Sequence, residues 1–386
     1  MKHVLFVDDD EDLLNGLRRS LRKKRNEWKL FFSTDPNKAL EFMKKVPFDI
    51  VISDMRMPSM YGGKFLKIVS ETYPNTIRFI LTGQADEHTM SQSFKPSHQI
   101  IMKPCSSQDI QEKIEIVFDA EKFIPDTELR HKINSLDSLP QIPKIYTILV
   151  EALENEKTTF NDIAEIISSD VAITAQILKT VNSSYFGIRK DINSIPEAIS
   201  FLGMDYIKSM VLTSQLFRNN NTPPNQLTLL NYIHDNSFKI AGLIKLIVKK
   251  KNEEKAVATD AFMSAVLQYI GVLIILTLHP NVTFTSESGK HQLQELQALV
   301  ETPITKVGAY LLVLWGIEPA VVDSVAHYKT PEDSMLETNK VLPYLHIANV
   351  VCNGYPINQE YMQTTSLSNS IKAIGLLAEK YLNGEI

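Results

Sequence analysis

The sequence predicts a doubly wound α/β domain built on a parallel five-stranded sheet, followed by an all-helical domain. Three observations lead there. Within residues 1–120, short apolar runs alternate with amphipathic helical stripes. The runs are continuously apolar, which suits strands buried on both faces of a parallel sheet. After Pro125 the composition shifts, and from Leu136 onward apolar residues recur only at helical spacing.

The strands are expected at His3–Val7, Trp28–Phe32, Phe48–Ser53, Ile77–Thr82 and Gln99–Met102. Between the first two, Leu14, Leu17 and Leu21 keep the three- and four-residue spacing of one helical face. Ile110, Ile114 and Val117 form a similar stripe, and a connecting helix is expected from Gln108 towards Ile133. In the second domain Asp170 can cap the helix of Ile173 and Ile177, and Ser194-Ile-Pro-Glu197 has the spacing of a capping box. Arg218 to Gln226 reads as a loop. The expected division is therefore 1–120, a connecting segment 121–133, and 134–386.

At 386 residues the chain exceeds one ordinary core. Hydrophobic residues make up 44% and charged residues 22%, and the net charge is -5, so no global basic field points to nucleic acid or an anionic membrane. The cation runs Arg18–Arg25 and Lys249–Lys255 read as solvated helix ends. The 2 cysteines, Cys105 and Cys352, lie far apart, which argues for a reducing compartment. The longest apolar run, Ile270 to Leu278, is shorter than a membrane span. A cytoplasmic protein with no membrane partner is expected.

Four chemical features fall at the ends of four strands. Asp8 and Asp9 follow the first, Asp54 the third, Thr82 ends the fourth and Lys103-Pro104 follows the fifth. The carboxyl ends of strands in an open parallel sheet share one rim, where ligand sites form. Acids, a hydroxyl and an ammonium would converge there, and hard oxygens of this kind suit Mg²⁺. In this arrangement Asp54 is the nucleophile towards a phosphoryl donor. Asp8 or Asp9, Asp54 and the Arg56 carbonyl hold the metal, while Lys103 and Thr82 meet phosphoryl oxygens. Each residue also has a plainer use: Asp9 or Asp10 as a helix cap, Asp54 as a turn residue, Thr82 as a strand end, Lys103 as a solvated lysine.

The segments Val-Leu-Phe-Val-Asp8-Asp9, Asp49-Ile-Val-Ile-Ser-Asp54-Met-Arg-Met-Pro58, Gly62-Gly63 and Lys103-Pro104 resemble the receiver domain of response regulators. The resemblance covers residues 1 to about 120. It implies a flavodoxin-like sheet, phosphorylation of Asp54 by a histidine kinase or phosphotransfer protein, Mg²⁺ dependence and a cis peptide before Pro104. Receivers often pair through their fourth and fifth helices, which makes a homodimer an expectation of the same kind. One position departs. Where receivers carry an aromatic switch residue, this chain has Ile100, with no ring to turn inward.

Further on, Ser138-Leu-Pro-Gln-Ile-Pro143, Asp170-Val-Ala-Ile-Thr, Val181-Asn-Ser-Ser-Tyr-Phe-Gly187 and Ile195-Pro-Glu-Ala-Ile-Ser-Phe-Leu-Gly203 resemble the HDOD domain. Its relatives are the HD-type metal-dependent phosphohydrolases. Four positions that carry metal ligands in those enzymes read here as Asn236, Gln268, Tyr269 and Ile304, none suited to a hydrolytic metal. His327 survives but is followed by Tyr328. The literal dipeptide His234-Asp235 lies two residues before the aligned ligand position and reads as a polar helix start.

The leading expectation is a phosphoacceptor that signals through a catalytically empty helical domain, with protein partners. The alternatives are a phospho-gated phosphodiesterase built on His234, Asp235, His327 and His346, and a cyclic-dinucleotide sensor that does not hydrolyse. Direct DNA binding is not expected, since no helix-turn-helix with a basic recognition helix is evident.

Overall fold

The computed structural model describes residues 1–83, 96–136, 144–154, 158–186, 192–214 and 223–385. Two compact units emerge, one on Met1–Leu139 with Leu312–Gly316 and one on Pro140–Leu311 with Ile317–Ile386. The Ser138–Pro143 motif falls outside the described residues, as do Gly187 and most of the Arg218–Gln226 loop.

In the first unit the strands are β1 (Lys2–Val7), β2 (Trp28–Ser33), β3 (Ile50–Asp54), β4 (Ile77–Thr82) and β5 (Gln99–Met102). They pair in parallel in the order β2-β1-β3-β4-β5. This is the flavodoxin-like order, whose direction reverses at the β1/β3 junction. Among the described residues up to Ala120, the helices are α1 (Glu11–Ser20), α2 (Pro36–Met43), α3 (Gly62–Thr72) and α4 (Ser107–Ala120). Asp10, Asp35 and Ser106 cap α1, α2 and α4 through their side chains. One core cluster joins Leu5, Val51 and Ile80 of the sheet to Phe65, Leu66 and Val69 of α3. Each such buried side chain contributes about 1.5–3 kcal/mol relative to exposure.

The connector differs from the single helix expected. Helix α4 stops at Ala120, a 3₁₀ turn covers Glu121–Phe123, and α5 begins afresh at Thr127–Asn134. Pro125 disfavours helical backbone at Ile124. Asp126 then caps α5, accepting from the amides of Glu128 and Leu129.

The second unit is helical throughout its described residues. Helices α6 (Lys144–Glu154), α7 (Phe160–Ser168), α8 (Val171–Val181), α9 (Ile195–Leu202) and α10 (Met204–Ser214) lead into α11 (Leu227–Lys251). Then come α12 (Lys255–Leu267), α13 (Ile270–Leu278), α14 (Gly289–Gln297), α15 (Ile304–Leu314), α16 (Pro319–His327), α17 (Leu342–Asn353), α18 (Gln359–Gln363) and α19 (Ile371–Leu382). Asp170 caps α8 as expected. Ser194 caps α9, but Glu197 reaches back to the Asn193 amide rather than to that of Ser194, so the box is incomplete.

Asn182 closes α8 and clamps the Ile192 backbone with both ends of its amide, at 2.7 and 2.8 Å. His234 does not start a helix. Pro223 and Pro224 place the start of α11 upstream, leaving His234-Asp235 inside it. The span Lys255–Leu278 is longer than the run Ile270 to Leu278 suggests, and its length and mean hydropathy of 2.2 would suffice to cross a membrane. Within this fold 83% of that window is buried, so it packs as a core element.

Candidate functional site

The sheet register builds the rim. Val7 pairs with Ser53, so Asp8 stands level with Asp54; Asp54 pairs with Leu81, and Thr82 with Met102, so Thr82 and Lys103 follow on the same edge. Asp8 is 3% exposed and Asp54 7%. Lys103 bridges them, its Nζ donating to Asp54 Oδ1 at 2.5 Å and to Asp8 Oδ2 at 2.9 Å. Asp54 Oδ2 accepts from the Arg56 amide at 2.6 Å, which fixes the plane of the carboxylate. The Asp10 amide holds Asp8 Oδ1 in the same way.

Burial opposes the Lys103 charge, yet the carboxylates of Asp54 and Asp8 outweigh it and raise the ammonium above its ordinary value. One cation thus bridges two buried carboxyl groups. Gly62 sits close by: a side chain there would strike the Asp54 carbonyl, so only glycine lets α3 begin against the end of β3. The Lys103–Pro104 peptide is cis.

The structure brings Asp8, Asp54 and Lys103 into contact and sets Thr82, buried, on the same rim. Asp9 is exposed, and the helix cap is Asp10. Arg56 reaches Asp54 through its amide. Ile100 is half-buried and packs against the sheet core, so its side chain is already turned inward.

The oxygens at this rim fit Mg²⁺, which takes one or two carboxylates and keeps several waters. Asp8 and Asp54 share one ammonium, which shows that they lie within reach of a common cation.

In the second unit Asn236, Gln268 and Tyr269 do gather, though as neutral polar groups. Asn236 Nδ2 donates to the Tyr269 hydroxyl at 2.6 Å and to Asn353 Oδ1 at 2.9 Å. Asn353 Nδ2 donates to Asn349 Oδ1 at 2.8 Å, and Asn349 Nδ2 to Gln268 Oε1 at 2.9 Å. Burial raises the Tyr269 phenol far above its ordinary value, so it stays neutral. Gln268 and Asn349 also donate to the Ala265 and Leu345 carbonyls, so the chain is anchored to helix backbone.

Ile304 lies apart from this chain. Its carbonyl packs on Gly271, where any side chain would collide. His327 pairs with Asp323 at 3.0 Å, and the Asp323 carboxylate also accepts from Ser334, Asn339 and the Met335 amide. His346 Nδ1 meets the Tyr328 carbonyl at 2.8 Å, and its Nε2 accepts from the Asn358 amide. Burial lowers the His346 imidazole and keeps it neutral. His234 meets Gln176 and Asp235, each at 3.3 Å. Among the described residues, no three His, Cys, Asp or Glu side chains form a metal-holding group.

Family models decide the affiliation. The HDOD domain model matches residues 139–331, half of the chain, and the response regulator receiver domain model matches residues 4–115.

The chain belongs to the HDOD family, with a receiver domain in front.

A protein described as the chemotaxis protein CheY of Rhizobium etli is 34% identical over 126 residues, covering 31% of this chain and 94% of that protein. The response regulator receiver protein CpdR of Brucella abortus is 27% identical over 116 residues, covering 30% and 95%. An uncharacterized protein of Treponema pallidum is 24% identical over 210 residues, or 51% of this chain and 39% of that protein's length. Among solved structures, a metal-dependent phosphohydrolase from Shewanella amazonensis is similar at 19% identity and TM-score 0.48, covering 73% of this chain and 100% of that one. An HDOD domain protein from Geobacter sulfurreducens is similar at 17% identity and TM-score 0.45, covering 71% and 94%.

Asn349 and Asn353 of the second unit escaped the sequence reading. A signal was present: His346, Asn349 and Asn353 stand three and four apart on one stripe of the otherwise apolar α17.

Proposed function

We propose that this response regulator accepts a phosphoryl group on Asp54 and signals through an HDOD domain that has lost hydrolytic chemistry and works by binding other proteins. The observation that carries the first half is the Lys103 ammonium held between Asp54 and Asp8.

A carboxylate oxygen of Asp54 attacks the phosphorus of a histidine kinase, a phosphotransfer protein or a small acyl phosphate. The new P–O bond forms as the bond to the donor breaks, and the donor leaves with the electron pair. Lys103 exchanges its Asp54 oxygen for a phosphoryl oxygen, and the Thr82 hydroxyl donates to another. Mg²⁺, which Asp8 or Asp9, Asp54 and the Arg56 carbonyl would hold, supplies positive charge against the phosphoryl oxygens. The added charge alters the rim and biases a local equilibrium that the HDOD domain relays to a protein partner in the cytoplasm, or to a second copy of the chain.

The second half rests on the neutral chain Gln268–Asn349–Asn353–Asn236–Tyr269, in which Asn236, Gln268 and Tyr269 stand where the resemblance to the HD-type enzymes puts metal ligands. A phosphohydrolase reading has only scattered His327 and His346 in its favour, each already committed to a local partner.

Beryllofluoride with Mg²⁺ should raise the melting temperature of the full chain and leave Asp54→Asn unmoved. Equal shifts in both proteins would refute the acceptor assignment. Stoichiometric tightly bound transition metal, with turnover of a phosphodiester, would refute the catalytically empty HDOD domain.

A further inference from the structure

We propose that the open edge of β2 in the receiver domain is a docking site for an extended acidic peptide, taken up as an added strand. β2 is an outer strand of the sheet. The Lys2 amide donates to the Glu27 carbonyl and the Asp8 amide to the Ser33 carbonyl, each at 3.2 Å. By the alternation of a parallel ladder, odd-numbered residues of β2 face β1. Trp28, Leu30 and Phe32 therefore turn their amides and carbonyls outward, as a template for another strand.

A groove of about 490 Å³ runs along this edge. Arg18, Arg22, Arg25 and Lys29 line it, all exposed, and among the described residues no carboxylate does. A lysine on an edge strand alone would be an ordinary guard against aggregation. Here three arginines come from outside the strand, on α1 and the turn after it, and converge on the same groove. That places a cationic wall beside unpaired backbone, which matches an anionic peptide. Phe42, 37% exposed, adds an apolar patch to the lining for alternate side chains of the added strand.

The rings argue against single-stranded nucleic acid, the other polyanion such a surface attracts. Phe32 stacks on Phe6 at 5.2 Å and carries the Arg18 guanidinium at 4.8 Å. Phe31 meets Phe48 edge-on at 4.9 Å and has the Lys29 ammonium at 5.5 Å. With these contacts the faces of Phe31 and Phe32 are taken, so neither strand ring is left as a stacking platform for bases.

The test uses the full-length protein and fluorescence anisotropy. The probes are a short labelled peptide alternating Glu and Val, the same peptide N-methylated at alternate residues, and a labelled oligothymidylate. The Glu/Val peptide should bind. Its affinity should fall about tenfold or more in Arg18→Glu/Arg22→Glu, where two exposed contacts turn repulsive. N-methylation, which removes strand pairing but not charge, should abolish binding. The proposal is overturned by no binding of the Glu/Val peptide, by equal affinity for the methylated peptide, by unchanged affinity in the charge-reversed variant, or by binding of the oligothymidylate alone.

Discussion

The receiver rim and the amide chain of the helical unit are both polar clusters set among buried residues, yet they are built on opposite electrostatic plans. At the rim two carboxylates share one ammonium, so the cluster stays charged and can exchange partners. In the helical unit four amides and a phenol bond one another and carry no charge. A charged cluster with one shared counter-ion responds strongly to an added anion. A neutral network has little to gain from one, and it serves to fix the packing of α11, α17 and the α12–α13 junction. On the proposed function, the charged cluster belongs to the unit that takes up the phosphoryl group and the neutral one to the unit that relays it.

The largest effect should come from Lys103→Met, which leaves two buried carboxylates without their cation. A loss of about 2–4 kcal/mol is expected in urea unfolding of the receiver. A stability equal to wild type would remove the shared-cation description. Next is Asp323→Asn. The Asp323 carboxyl is buried, which pushes it up, but bonds from His327, Asn339, Ser334 and the Met335 amide outweigh this and hold it below its ordinary value. Its stabilisation is therefore present above the unfolded pKa of about 3.9 and lost as pH falls through the lower folded value. The variant should lose about 1.5–3 kcal/mol near neutrality. It should also flatten the acid limb of stability against pH, and an unaltered limb would contradict the assignment.

Tyr269→Phe strands one donor of Asn236 and should cost about 1 kcal/mol by thermal unfolding, whereas the pair Tyr269→Phe with Asn236→Leu should recover part of that loss. A double variant worse than the sum of its parts would show that the amide chain does more than fill space. The smallest effect belongs to Ile100→Tyr. Stability should change by less than about 1 kcal/mol, since the site is only half-buried. The hydrogen-exchange difference between free and beryllofluoride-bound protein should grow if a ring restores a switch. An unchanged difference would count against a switch at that position.

The rim was legible because a parallel sheet converts sequence position into place. A residue just past a strand end lies on one known edge, so Asp8, Asp54, Thr82 and Lys103 could be gathered from the order of apolar runs alone. Asp54 proved to be the last residue of β3 rather than the first after it, a difference of one residue at a boundary. No comparable rule operates among helices. Helical spacing marked the segment of α17 as helical but not which neighbour its polar residues would meet, so Asn349 and Asn353 were missed. His234-Asp235 was misplaced for a related reason: an acid beside a histidine resembles a helix start, while the prolines that set the start lie ten residues upstream. The broken connector at Pro125 was readable from the proline and the following aspartate.

The most direct trial of the acceptor is intact-mass spectrometry of the full chain after incubation with acetyl phosphate and Mg²⁺, beside Asp54→Asn. The account predicts a gain of one phosphoryl group, absent in the variant and absent when Mg²⁺ is chelated. An equal gain in Asp54→Asn, or full labelling without the metal, would contradict it.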